Sequence, residues 1–60
     1  MKKVKSYKKW NIYTGFPSWD IAKEYPTFYA FLPEEGPNNC DYPEIEDDNI
    51  TVILEAIDNY

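Results

Sequence analysis

Apolar and polar residues alternate from Lys8 to Thr14, with Trp10 and Ile12 on one side and Tyr13 on the other, which is the period of a β-strand. This strand can begin as early as Val4, and Gly15 and Pro17 end it. Ser18 then stands at a helix N-cap position, with Asp20 in the first turn. Trp19, Ala22 and Lys23 follow at helical offsets until Tyr25-Pro26 closes the segment. The expected element is a short helix or a 3₁₀-like turn. Thr27 to Leu32 predicts a second strand, placing Phe28, Ala30 and Leu32 on one side and Tyr29 and Phe31 on the other, with Pro33 as its stop.

The stretch over 33–48 reads as a long acidic loop. It holds Gly36-Pro37, Asn38, Asn39 and Pro43 among its carboxylates, and connections of this length in compact domains are usually functional or disordered. The last segment, 49–58, carries two patterns. Ile50, Ile53, Leu54 and Ile57 fit an amphipathic helix with Asp47, Asp48 and Asn49 as an acidic start, and this is the favoured reading. Ile50, Val52, Leu54 and Ala56 alternate as a third strand would. The expected fold is therefore one α+β domain over 1–60: a small two-stranded antiparallel sheet, a short helix and a C-terminal helix. So small a sheet wants more strands or a covering helix for stability, which predicts a homodimer.

Length sharpens that expectation. A chain of 60 residues buries only about 60% of the surface it exposes when unfolded. Cys40 is the single cysteine, so no internal disulfide is possible, and a reducing compartment fits. With no histidine, a structural zinc site lacks ligands. The chain has 11 aromatic residues instead. Trp10, Ile12 and Phe28 suit a core, whereas Trp19, Tyr25, Tyr29 and Tyr42 are less easily placed inside, and exposed Tyr and Trp are typical of interfaces.

Charge is divided along the chain. Lys2, Lys3, Lys5, Lys8 and Lys9 crowd the start, while nine acids and no Lys or Arg follow from Glu34 onward, within a net charge of −5. The ends should attract, placing the first strand beside the acidic segment or favouring antiparallel pairing of two copies, although solvated pairs contribute only about 0–1 kcal/mol each. The acidic half has a plain explanation as a solubilising surface. Its functional alternatives are imitation of nucleic-acid phosphates, docking on a basic protein groove, and calcium binding. Asp47-Asp48-Asn49 lacks the alternating ligands and turn glycine of an EF-hand loop, which disfavours calcium. Direct nucleic-acid binding is disfavoured by the acidic balance.

Catalytic chemistry finds little support. There is no histidine to act as acid or base and no arginine, and Cys40 lies beside Asp41, with no base or positive charge next to it in sequence to activate a thiol. Carboxylate pairs such as Asp41 and Glu44 occur, but so short a chain has little room for a substrate cleft. The expectation is a non-enzyme without cofactor or metal. Tyr42, between Asp41 and Pro43, can anchor a partner while Glu44, Glu46, Asp47 and Asp48 select a basic rim; these five are the candidate partner-binding residues.

No stretch of about 20 apolar residues suggests a membrane span. Met1-Lys2-Lys3-Val4-Lys5 looks like a signal-peptide front, but Ser6, Lys8, Lys9 and Asn11 interrupt the apolar stretch that should follow. A cytoplasmic protein is expected, in which Asn49-Ile50-Thr51 matches the glycosylation pattern by chance.

In overall profile, with its Lys-rich start, its frame from Met1 to Tyr60 and its many acids among aromatics, the chain resembles the small acidic proteins that bacteriophages encode against host defence or nucleic-acid enzymes. The resemblance is one of composition. It implies a non-catalytic, cytoplasmic inhibitor in the bacterial host cell that blocks a host protein by occupying its surface, with mimicry of nucleic acid as one mode. The alternative is a small accessory or regulatory subunit of a larger assembly.

Overall fold

The computed structural model describes residues 1–15 and 27–60. The helix expected from Ser18 to Tyr25, and with it Trp19 and Tyr25, lies outside the described residues. The elements run β1 (Lys2–Tyr7), β2 (Trp10–Gly15), β3 (Thr27–Phe31), a 3₁₀ turn (Pro37–Asn39), β4 (Ile45–Asp47) and α1 (Ile50–Asp58).

The sheet has four antiparallel strands in the order β1-β2-β3-β4, which overturns the expected two-stranded sheet. Two strands were hidden in the sequence. What reads as one strand beginning near Val4 is a hairpin, because the chain reverses at Lys8 and Lys9 and pairs Tyr7 with Trp10. Both turn residues have positive φ, 49° and 71°, as a two-residue type I′ turn requires, yet neither is the Asn or Gly that announces such a turn. The fourth strand, Ile45–Asp47, lies within the stretch expected to be loop and pairs with Phe28, Tyr29 and Ala30. A four-stranded sheet with its own helix no longer needs a second copy for completion.

Cross-strand register sorts the side chains. Trp10, Ile12, Ala30 and Ile45 share the face covered by α1, where Trp10, Ile12, Ala30, Ile53 and Ile57 are buried as one cluster. Tyr7, Phe28, Leu32, Ile50 and Leu54 pack around it. The opposite face is also built for burial: Thr27, Tyr29 and Phe31 are at most 1% exposed there. Tyr13 meets Phe31 edge-on at 5.6 Å. The chain after β3 folds back on this side, with Asn11 Nδ2 donating to the Glu35 carbonyl at 2.9 Å. That return begins with a turn at Pro33-Glu34, closed by Glu35 N–H donating to Leu32 O at 2.9 Å.

The last segment is helical. Asn49, in extended conformation, caps it by accepting from Thr51 N–H at 2.9 Å. Cap and apolar stripe together outweigh the β-branched content that also suited a strand.

Candidate functional site

β4 is held by its ladder to β3 and by Glu44 N–H donating to Ala30 O at 2.8 Å. The candidate residues therefore lie along a sheet edge, not in a free loop. Within β4, Glu46 pairs with Tyr29 and falls on the face opposite α1, whereas Asp47 pairs with Phe28 on the α1 side.

Two of the acids also serve the fold. Asp47 Oδ1 accepts from Asn49 N–H at 2.9 Å, shaping the entry to α1. Asp48 Oδ1 accepts from the buried Thr27 hydroxyl at 2.9 Å. Glu44 turns toward the C-terminus, where its Oε2 accepts from the Tyr60 hydroxyl at 2.9 Å and holds that phenol above its ordinary pKa. Glu46 is exposed on β4, and Tyr42 is 79% exposed just before the strand. The five residues thus flank one edge on both sides of the sheet and form no single flat patch.

The expected attraction between the chain's ends takes a different form from strand beside strand. β1 and β4 are the outermost strands of the sheet, on opposite edges. The ends meet instead through α1. Asp58 accepts from the Tyr7 hydroxyl at 2.9 Å and pairs with Lys8, the one ion pair among the described residues. Lys8 and Tyr7 hold the Asp58 carboxyl below the usual carboxylate range, while Asp58 raises the Lys8 ammonium and the Tyr7 phenol above theirs. Tyr60 completes this clasp by meeting Trp10 edge-on. Its partners are some 50 residues apart in the chain, beyond the reach of any local pattern.

The remaining edge is β1, a strand that the sequence pattern did not separate from β2. Its residues Lys2, Lys3 and Lys5 are exposed, and the register slips between Lys3 and Lys5, leaving Val4 as a bulge. A run of lysines in a β-alternating stretch was the available signal. Lys5 and Lys8 lie over the Tyr7 ring at 5.8 and 5.7 Å, close enough for cation–π attraction.

Among the described residues no cluster of three or more carboxylates and thiols is arranged to hold a metal ion, and no helix is long and apolar enough to cross a membrane. No protein-family model matches the chain, and no curated protein or solved structure matches it.

Proposed function

We propose that this protein is a non-catalytic binding module that uses the acidic β4 edge, with Tyr42 beside it, to occupy a basic surface on a bacterial host protein and block it. One observation carries the reading. Glu46 and Asp47 stand in β4, flanked by Glu44 and Asp48, and the outer side of this strand pairs with no other strand among the described residues, next to a tyrosine ring that is 79% exposed. Carboxylates concentrated along one sheet edge steer toward positive charge and reject acidic partners, while an aromatic ring supplies buried area. An origin in a bacteriophage and imitation of nucleic-acid phosphates extend this reading on the strength of composition.

The test is capture from bacterial lysate with tagged protein, run beside a Tyr42→Ala/Glu46→Lys variant whose fold is checked by circular dichroism. Support is one basic-surfaced protein retained by the parent, lost with the variant, and losing its own activity in proportion to added inhibitor. Retention by both forms sinks the β4 assignment. Specific binding that leaves the captured protein active favours the accessory-subunit alternative.

A further inference from the structure

The two outer strands of this sheet carry opposite charge. β1 presents Lys2, Lys3 and Lys5, and β4 presents Glu46 and Asp47 between Glu44 and Asp48. Because all neighbours in the four-stranded sheet are antiparallel, β1 and β4 run in opposite directions. The β4 edge of one molecule can therefore accept the β1 edge of another and continue the antiparallel alternation. We propose that a second copy of this chain docks in this way, head to tail, by strand addition between β1 of one copy and β4 of the next.

The register follows from the faces. In β1, Lys3 pairs with Tyr13 and shares the face of Glu46, whereas Lys2 pairs with Thr14 and shares the α1 face with Asp47. An antiparallel pairing that keeps both sheets facing the same way sets Lys3 opposite Glu46 and Lys2 opposite Asp47. Opposite charges directly across a ladder attract, and like charges repel. The same rule sets β1 against β1: two copies of the lysine strand repel, as edge lysines do in proteins that avoid indiscriminate pairing. The Val4 bulge bends the strand after Lys3, so Lys2 and Lys3 form the short regular stub that matches the three residues of β4.

Such contacts are heterologous, so every assembly keeps one free β1 edge and one free β4 edge at its two ends, and association proceeds to short open oligomers rather than a closed dimer. With so short a ladder the association is weak and salt-sensitive. The inference is independent of the host-protein reading, since it concerns the purified chain alone.

Sedimentation velocity from micromolar to millimolar protein tests it, at low and at high salt, with Lys3→Glu and Glu46→Lys prepared separately. Both positions are exposed, and circular dichroism checks that each variant folds. The expected result is a weight-average mass that rises with concentration at low salt and falls when salt is added. Each reversal alone should abolish the rise. An equimolar mixture of the two should restore it, because the acidic β1 of one then meets the basic β4 of the other and the native edges still match. A monomer at every concentration in low salt overturns the proposal. So does association that survives either reversal, or a mixture that fails to recover.

Discussion

The Tyr60 ring meets the Trp10 ring edge-on, with centroids 4.9 Å apart and planes at 75°. Trp10 is only 6% exposed, although it begins the strand next to the sheet's edge, and Tyr60 is 70% exposed. The tyrosine therefore acts as a cover, steered into place by its hydroxyl on Glu44. Tyr60→Ala should cost about 0.5–1.5 kcal/mol beyond lost area, the usual worth of an aromatic pair. In a Trp19→Phe background, where Trp10 is the single indole, its emission should shift to the red. Unchanged emission together with an unchanged denaturation midpoint would show that the ring covers nothing of consequence.

Lys9 sits at φ 71° and Glu34 at φ 69°, in the left-handed region where a side chain is disfavoured and glycine is not. Lys9 is the second residue of the β1–β2 turn. Glu34 follows Pro33 in the turn after β3, at the position where a type II turn favours glycine. Lys9→Gly and Glu34→Gly should each stabilise by about 0.5–1 kcal/mol, the relief of strain exceeding the added freedom of the unfolded chain. Urea midpoints measure this directly, and a loss of stability at either site contradicts the turn geometry. Lys8 is a poorer choice despite φ 49°, because it holds Asp58.

The pH dependence of stability follows from the Tyr7–Asp58–Lys8 clasp. Asp58 is depressed below its ordinary value, chiefly by its hydrogen bond with Lys8. Its contribution is therefore present above the unfolded carboxylate value of about 4 and is lost as pH falls through the lower folded value. Lys8 and Tyr7 are raised, chiefly by their hydrogen bonds to Asp58. Their contribution is complete below the unfolded values of about 10 and disappears as pH rises through the higher folded ones. Asp58→Asn should flatten both limbs, seen as a smaller spread of denaturant midpoints across pH. An unaltered profile in the variant would mean that other groups set the limbs. All three groups are solvent-accessible, so added salt should weaken the effect as well.

Where physical cues were local, sequence and structure agree, except that Tyr29, expected to be less easily placed inside, is fully buried. Alternation placed the inward Trp10 and Ile12, the two faces of Thr27–Phe31, and the end of that strand near Pro33. The spacing of Ile50, Ile53 and Ile57 behind Asn49 located α1. The failures share one cause, which is structure maintained by contacts distant in sequence. Lys8-Lys9 carries no turn signature, and its reversal is supported by Asp58 at the far end of the chain. β4 contains two acids in three residues, a composition that ordinarily signals loop, and becomes a strand because β3 offers a ladder with Ile45 opposite Ala30. The candidate acids were found as residue types, while their division between capping, burial and open surface depended on that unseen strand.

Glu46 and Asp48 separate these roles by experiment. Glu46 is exposed on β4, whereas Asp48 accepts the hydroxyl of Thr27, which is 1% exposed. Removing the acceptor leaves a buried hydroxyl unsatisfied, so Asp48→Ala should cost about 1–3 kcal/mol. Glu46→Ala should stay within about 0.5 kcal/mol of the parent, as surface substitutions do. A Thr27→Val/Asp48→Ala double variant, which removes both polar partners, should recover part of the loss. Chemical denaturation of the four proteins gives the comparison. Equal effects of Glu46→Ala and Asp48→Ala would mean that the edge acids act on the fold as one charge cluster, and that neither can be altered to probe binding alone.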